Sequence, residues 1–453
     1  MMQEIAPREF GLDADGHETS IIKKYQVIKE VITANFDERV WFLADACLSV
    51  IATLGLKDQQ NPVGLNIIGP ASSEKTTVLS FFYGNDDLIY HSDNFTPASF
   101  VSHSAKTKKE KLSDVDMLPK IRGKCLVVPE LAPIFGTNKD ELLHNFSVLT
   151  RVFDGEGLTT NSGVHGKRGY EGDYYFAWLG ASTPIRQAVW NTMGQFGSRL
   201  LFLTVPSNLS IEAKQNKMLQ EFYDREAYRD RVKACHAVVR DFLEYFMAQF
   251  DGDGPNRYYR EVDWDRHNES KDIVGQIIKL SSFTVKARQA ITNWDEERGG
   301  KVEVNYSQPI PEEPDRLFSV LYGLARGHAI LNDRKRLSVD DMPLIVEVAL
   351  STMPDDRRDT VELLLDNHPD KSTGSGSLTS SDLTGIKSIS KPKALRIFEK
   401  LAVLGLVSLD RSEGPEPSRI TLKADFNWLL SDDFQKYRYT WQNRQQFDPD
   451  LPF

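Results

Sequence analysis

A short apolar run that leads directly into a phosphate-loop pattern constrains the fold of this chain more than any other feature. Residues 65–68 read Leu-Asn-Ile-Ile, and residues 69–77 continue as Gly-Pro-Ala-Ser-Ser-Glu-Lys-Thr-Thr. In the template Gly-x-x-x-x-Gly-Lys-[Ser/Thr], backbone N–H groups and a helix start cradle phosphates, the lysine neutralises them and the hydroxyl holds Mg²⁺. Gly69, Lys75 and Thr76 fit this template, whereas Glu74 stands where the second glycine belongs.

The pattern predicts a nucleotide site that uses ATP and Mg²⁺ as cofactors. A glutamate within ~4–6 Å of phosphates would be repelled by them unless the loop turns it outward. The same letters also fit a serine-rich turn that merely resembles the template. The candidate cofactor-binding residues are Gly69, Ser72, Ser73, Glu74, Lys75, Thr76 and Thr77.

Short apolar stretches alternate with helical patterns between residues 64 and 206. The expected strands are residues 65–68, 125–128, 174–180 and 200–205, and residues 20–58 read as two helices. Strands that alternate with helices, the first entering a phosphate loop, predict an α/β fold with a parallel sheet flanked by helices.

Composition excludes several classes of protein. The 453 residues are 40% hydrophobic and 26% charged, as in ordinary globular proteins. No apolar run approaches the ~20 residues of a membrane span, and residues 1–15 do not resemble a signal peptide, so we expect a cytoplasmic protein with no membrane partner. Three widely separated cysteines argue against a disulfide framework or a zinc cluster.

An apolar stretch that ends in an acid supplies the second part of the predicted site. Residues 125–130 read Cys-Leu-Val-Val-Pro-Glu, which places Glu130 where a Walker B carboxylate polarises the attacking water or holds the metal. Such strands usually end in Asp-Glu, and here Pro129 occupies the aspartate position. Glu130 therefore serves alone, or a distant acid such as Asp154 assists. In isolation, the segment fits equally well an acid that caps a buried strand.

Two further strands carry polar residues at informative places. Residues 175–184 form an apolar run that ends in Ser182 and Thr183, either of which could sense a γ-phosphate. Arg199 immediately precedes the last strand, where an arginine can reach the nucleotide of a neighbouring subunit and stabilise transition-state charge.

Together these four segments resemble the AAA+ ATPases, and most closely the minichromosome maintenance (MCM)-type helicase branch. That branch places the Walker A loop, Walker B strand, sensor-1 strand and Ser-Arg finger in this order. The resemblance extends to residues 313–330 and 337–341, which look like the helical lid of the family. It implies that Arg316 is the sensor-2 arginine and that Thr76 and Glu130 serve the metal.

The resemblance and the linker-like composition of residues 367–378 suggest a domain plan. It consists of an N-terminal helical segment (1–59), an ATPase core (60–210), a helical and irregular insertion (211–312), a helical lid (313–366), a linker (367–378), a C-terminal winged helix (379–430) and a tail (431–453).

DNA contacts are expected from local basic patches, because the net charge of −10 gives no overall attraction to nucleic acid. Residues 157–172 are punctuated by glycine and carry Lys167 and Arg168, which predicts a β-hairpin with a basic tip. A basic run at residues 106–111 includes Lys108 and Lys109. The related helicases carry pore hairpins at both places, whereas either segment alone could be a solvated surface loop.

The C-terminal region has the outline of a winged helix. Helices are expected near residues 381–385 and 391–404, with Ser390 as the N-cap of the second, followed by strands at 407–410 and 418–422. Lys391, Lys393 and Arg396 surround the expected recognition helix and suit contacts with DNA phosphates. A winged helix that docks on protein is the alternative.

The resemblance implies a homo-oligomeric ring, a hexamer, that couples ATP hydrolysis to movement on DNA as a helicase or replication initiator, including one of a mobile element. Two alternatives stay open. One is a nucleotide-binding, DNA-associated switch, and the other is a scaffold with a vestigial phosphate loop. Glu74 and Pro129 favour the alternatives, whereas Arg199, Arg316 and the predicted hairpin favour the motor.

Overall fold

The computed structural model describes most of the chain, in two compact units. The described residues are 20–102, 112–135, 138–162, 166–197, 199–205, 215, 218–219, 222–250, 261–298, 301–366, 376–412 and 416–438. The first unit holds those within Met1–Thr183, Arg199–Val274 and Ser319–Asp341, and the second holds those within Pro184–Ser198, Gly275–Phe318 and Met342–Phe453. Within these ranges, no helix combines the length and the apolar character needed to cross a membrane.

The first unit begins with the two helices that the sequence predicts, α1 (Ser20–Asn35) and α2 (Glu38–Ala52). Asp37 caps α2, since its carboxylate accepts hydrogen bonds from the backbone N–H groups of Arg39 and Val40. Every residue of α2 from Val40 onward is buried. A helix that is apolar nearly all round belongs in a core, and α2 accordingly packs against the sheet.

A five-stranded parallel sheet forms the core of the first unit, as predicted. The strands are β1 (Val63–Ile68), β2 (Ile89–His91), β3 (Cys125–Val128), β6 (Ala177–Ser182) and β7 (Leu200–Thr204). They lie in the order β2-β3-β6-β1-β7. Side chains of β1, β3 and β6 are buried along their whole length, as expected when helices cover both faces of a parallel sheet.

Two details of the sheet differ from the sequence prediction. The strand expected at 174–180 begins only at Ala177, because the backbone N–H of Tyr174 and the carbonyl of Tyr175 bond to Gly155 and Gly123 outside the sheet. The short strand β2 was not predicted, since three residues show no periodicity. Inside the sheet, the indole of Trp178 donates to Asn66 Oδ1 at 2.9 Å, close to where a Cβ on Gly180 would lie.

Four further helices and one β-hairpin accompany the sheet in the first unit. The phosphate-loop pattern leads into α3 (Lys75–Ser80), α4 (Met117–Ile121) precedes β3, and α5 (Lys139–Val152) follows it. The strands β4 (Gly157–Ser162) and β5 (Gly166–Glu171) pair in an antiparallel hairpin, which confirms that prediction. The helix α7 (Arg225–Met247) packs along α1, and Asp224 caps it.

The second unit is mostly helical. It contains α6 (Gln187–Phe196), most of α8 (Lys271–Arg288), α10 (Met342–Ser351) and α11 (Asp355–Asp366), while α9 (Asp315–Leu331) is divided between the units. The hairpin of β8 (Asn293–Arg298) and β9 (Lys301–Tyr306) lies in a segment predicted to be helical or irregular. The residues of β8 are mostly charged, whereas Val302, Val304 and Tyr306 of β9 alternate with polar residues, a strand pattern that the sequence prediction overlooked.

Two helices and two strands of the C-terminal region lie close to their predicted positions, whereas the strand β10 and the helix α14 were not predicted. They are β10 (Ser377–Thr379), α12 (Ser380–Lys387), α13 (Lys391–Val403), β11 (Val407–Asp410), β12 (Arg419–Leu422) and α14 (Asp432–Gln435). The strands form an antiparallel sheet in the order β10-β12-β11. Ser390 is the N-cap of α13, with Pro392 in the first turn. That these elements constitute a winged helix stays a prediction.

Candidate functional site

Three of the predicted segments meet at the carboxyl edge of the parallel sheet. In the register, Ile68 at the end of β1 lies beside Ser182 at the end of β6. The backbone N–H of Gly69 donates to the carbonyl of Ser182 at 3.2 Å, and that of Leu131, the residue after Glu130, donates to Ala181 at 2.9 Å. The phosphate loop, the acid and the hydroxyl strand therefore share one edge, which is where α/β sheets bind ligands.

The backbone of the loop alternates in handedness. Ser72 and Glu74 have positive φ angles of 59° and 65°, the left-handed conformation in which side chains are disfavoured. Left-handed residues within a turn direct successive N–H groups toward one point and form an anion-binding concavity. Glu74 thus adopts the conformation for which glycine is favoured at this position of the template.

The side-chain ammonium group of Lys75 lies within the phosphate loop. The side chain is buried, and Nζ donates to the carbonyls of Gly69 at 2.9 Å and Pro70 at 2.6 Å, and to the Ser73 hydroxyl at 3.1 Å. Burial lowers the pKa of Lys75, while the carboxylate of Glu130 opposes that shift. The lysine and the acid at the ends of β1 and β3 therefore interact electrostatically.

The hydroxyls that follow the lysine have different surroundings. Thr76 is exposed, as a metal-holding hydroxyl has to be. Thr77 Oγ1 lies 3.0 Å from the Tyr228 hydroxyl on α7, so this helix contacts the phosphate-loop helix directly. Tyr228 was not predicted from the sequence, because nothing in a charged helix 151 residues away indicates which side chain will reach α3.

Glu130, Ser182 and Thr183 differ in their exposure to solvent. Glu130 is exposed, and its Oε1 accepts a hydrogen bond from the backbone N–H of Ala132 at 2.9 Å. Ser182 is buried at the end of β6, whereas Thr183 is exposed. Asp154, the acid considered as a partner for Glu130, lies instead at the amino edge of the sheet, beside Arg199.

Arg199 lies at the opposite end of the sheet from the phosphate loop. It precedes Leu200, which pairs with Gly64 at the start of β1, and its guanidinium forms an ion pair with Asp154 at 3.2 Å. Arg316 is half-buried in the first turn of α9 and belongs to the second unit.

The predicted basic contacts are only partly described. Lys167 is exposed on β5 opposite Asn161 and is paired with Glu171, and the Arg168 guanidinium donates to the carbonyl of Ser102 at 3.5 Å. Lys167 and Arg168 therefore lie on the strand β5, opposite Asn161 and Thr160, and not at a tip as predicted. Residues 163–165, Lys108 and Lys109 lie outside the described residues.

The three cations of α13 that were predicted to contact DNA fall into two groups. Arg396 lies 4.0 Å from Asp295 on β8. Lys391 and Lys393 are exposed in the first turn, and no carboxylate of the described chain forms an ion pair with either. The start of α13 therefore presents the more accessible positive charge.

The surroundings of the Lys75 ammonium group are chemically compatible with a phosphate group. The Lys75 ammonium group donates three hydrogen bonds to neutral oxygens. Phosphate oxygens can replace these acceptors, and their negative charge would attract the ammonium more strongly. No group of three or more His, Cys, Asp or Glu side chains in the described ranges could hold a metal. Mg²⁺ commonly takes one or two protein oxygens and completes its shell with phosphates and waters.

Comparisons with known proteins add little. No protein-family model matches the chain, and no curated protein matches it. A solved structure described as "SCCmec type IV Cch - active helicase" is 11% identical, covers 90% of this chain and 71% of its own, and has a TM-score of 0.33. One described as "The A form apo structure of NrS-1 C terminal region-CTR" is 11% identical, with coverages of 92% and 83% and a TM-score of 0.26. Identities and scores this low do not indicate what the chain does.

Proposed function

We propose that this chain is a cytoplasmic AAA+ ATPase of the MCM-like type that acts on DNA as a helicase, translocase or replication initiator, including one of a mobile element. It would work as a homo-oligomeric ring, a hexamer, that couples ATP hydrolysis to DNA movement. The observation that carries the proposal is the meeting of the phosphate loop, Glu130 and Ser182 at one edge of a parallel sheet. The electrostatic interaction of Lys75 with Glu130 supports it.

Each residue of this edge has a role that its geometry suits. Lys75 would exchange its bonds to the loop carbonyls for bonds to the β- and γ-phosphates. The Thr76 hydroxyl and Glu130 would hold Mg²⁺, which neutralises charge on the phosphates when it is bound. Glu130 would also orient the attacking water. Ser182 or Thr183 would donate to the γ-phosphate, and Arg316 of the lid would contact it.

The position of Arg199 favours a ring. The five residues of β7 separate Arg199 from the carboxyl edge, a span of about 17 Å at ~3.3 Å per residue. Arg199 therefore cannot reach the phosphate loop of its own chain, and a role in catalysis requires the nucleotide of a neighbouring subunit. Such arginines raise turnover by factors of about 10³–10⁵ in other phosphoryl-transfer enzymes.

The exposed lysines suit a DNA backbone. Lys167 and Arg168 on the β4–β5 hairpin, and Lys391 and Lys393 at the start of α13, provide local positive charge on an acidic protein. Phosphate contacts require only such local charge, and in a ring the hairpins of several subunits converge on one strand.

ATP turnover by the full chain and by Lys75→Ala, each with and without single-stranded DNA, tests the proposal. We expect turnover that DNA stimulates, and a loss of nucleotide affinity of at least about tenfold in Lys75→Ala, because two or more charge-assisted hydrogen bonds are lost. Absence of turnover under every condition would contradict the motor.

The strained backbone at Glu74, together with Pro129 before Glu130, supports a second candidate, a nucleotide-binding switch on DNA with weak or no hydrolysis. The same turnover assay, with nucleotide binding of both proteins measured beside it, separates the functions. A switch binds nucleotide with an affinity that depends on Lys75 but shows no turnover. A scaffold with a vestigial loop binds no nucleotide at all.

A further inference from the structure

Arg199 pairs with Asp154 in the turn at residues 151–156 of its own chain, here called the acidic turn. Its Nε and one terminal nitrogen lie 3.4 and 3.2 Å from Asp154 Oδ1. Asp154 Oδ2 accepts in turn from Arg151 at 3.2 Å, and Arg151 also reaches Glu156 at 3.3 Å. Only 12% of the Arg199 side chain and 18% of the Asp154 side chain is exposed, so solvent screens this pair weakly.

The acidic turn is also the base of the β4–β5 hairpin. The backbone N–H of Gly172 donates to the carbonyl of Glu156 at 3.2 Å, and that of Tyr174 donates to Gly155 at 2.8 Å. Gly155 has a positive φ of 76°, and a Cβ there would approach the carbonyl of Gln60 to 2.6 Å. These contacts connect the turn to the end of β5 and to the residues that lead into β1.

We propose that Asp154 is a positioning residue that couples contact of DNA with the hairpin to the placement of Arg199 in the neighbouring active site. Force on β4 and β5 reaches the turn through the Gly172 and Tyr174 hydrogen bonds, and Asp154 passes the displacement to the guanidinium. This inference rests on the proposed function and adds to it a route by which DNA stimulates hydrolysis.

The charge-preserving variant Asp154→Glu tests the coupling in the full chain. It keeps the ion pair but moves the carboxylate outward by one methylene, about 1.5 Å, and displacements of this size can cost up to about 100-fold in rate. We expect DNA-stimulated kcat to fall about tenfold, with KM for ATP and affinity for labelled single-stranded DNA within about twofold of wild type, because the loss concerns the transition state. The ratio of turnover with DNA to turnover without it should approach one.

Glu156→Gln is the matched control. It removes the other carboxylate of the same turn, which contacts Arg151 but forms no hydrogen bond or ion pair with Arg199 among the described contacts. We expect it to keep the stimulation ratio within about twofold, since an exposed ion pair contributes little. In an Arg199→Ala background, Asp154→Glu should cause no further loss, because residues that act through one another are not additive.

Each result has a definite consequence. If Asp154→Glu keeps the stimulation ratio of wild type, or if its effect adds to that of Arg199→Ala, the coupling is wrong while the ATPase stands. If the wild-type chain itself shows no turnover, the proposed function fails and the coupling fails with it. A thermal melt of each variant identifies a loss of turnover caused by unfolding, and Asp154→Asn, which retains the shape of the side chain, then replaces Asp154→Glu in the same comparison.

Discussion

At the scale of single residues, Glu74 is the clearest departure from the phosphate-loop template. Its left-handed backbone, φ 65° and ψ 5°, shows why the template has glycine at this position. A side chain in this conformation costs about 1–2 kcal/mol. The glutamate also brings a negative charge next to Lys75, and that charge opposes the phosphates that the loop would bind.

Replacing Glu74 separates the two effects. We expect Glu74→Gly and Glu74→Ala both to raise ATP affinity about fivefold, since both remove the carboxylate. The free energy of unfolding should be higher for Glu74→Gly than for Glu74→Ala, by about 0.5–1 kcal/mol. Glycine relieves the backbone strain at a positive φ, and the greater entropy that it gives the unfolded chain offsets part of that gain. Nucleotide titration and urea denaturation measure the two quantities. Unchanged affinity in both variants would mean that the carboxylate points away from the phosphates.

At the scale of elements, a buried ionic network joins α9 to α2. His328 Nδ1 lies 2.6 Å from Asp341, and its Nε2 lies 3.6 Å from Asp45 on α2. Arg334 also pairs with Asp341 at 2.7 Å, and Tyr25 donates to Asp45. Burial alone would lower the pKa of His328, but the two carboxylates outweigh it and raise the pKa to about 10.

This network makes stability depend on pH. The folded chain keeps a proton on His328 that the unfolded chain releases above pH ~6.5, so the stabilisation is complete below that pH and is lost as pH rises toward about 10. We expect the free energy of unfolding to fall by on the order of 2–3 kcal/mol between pH 7 and 9, and His328→Gln to remove that part of the change. Urea denaturation at both pH values measures it. Equal slopes in wild type and variant would show that His328 is not charged in the folded state.

At the scale of the whole molecule, the proposed DNA partner has to be reconciled with a net charge of −10. The charge of the whole chain repels nucleic acid at long range, and salt screens that repulsion within about 10 Å at 0.1 M. Local cations such as those of the β4–β5 hairpin then determine where a phosphate backbone can lie. The strength of binding should accordingly depend on a few positions.

The salt dependence of DNA binding tests which positions these are. Replacing Lys167 and Arg168 together by alanine should weaken single-stranded DNA binding about tenfold at low salt. It should also reduce the slope of log K against log salt by about 1.4, at ~0.7 for each phosphate contact. The matched pair Lys391→Ala and Lys393→Ala tests α13 in the same titration, followed by fluorescence anisotropy. An unchanged slope in the hairpin variant would exclude the hairpin as a DNA contact.

Local patterns predicted much of the sheet and some of its chemistry. The apolar strands β1 and β3, the loop before Lys75 and the acid after β3 were expected from runs of a few residues each. The charged hairpin β8–β9 and the three-residue strand β2 were missed. The strands β2 and β8 show no hydrophobic alternation and form through pairing with other strands. The alternation of Val302, Val304 and Tyr306 in β9 is present in the sequence and was overlooked.

The sequence by itself determined that an apolar strand leads into a loop with Lys75, and that Glu130 follows a second buried strand, because these features depend on neighbours in the chain. Only the tertiary structure decided that Asp154 pairs with Arg199 rather than assisting Glu130, and that Tyr228 contacts Thr77. The two residues of the first contact are 45 positions apart in the sequence, and those of the second are 151 positions apart. These contacts exist because the strand order and helix packing bring distant side chains together, and no local pattern encodes that choice.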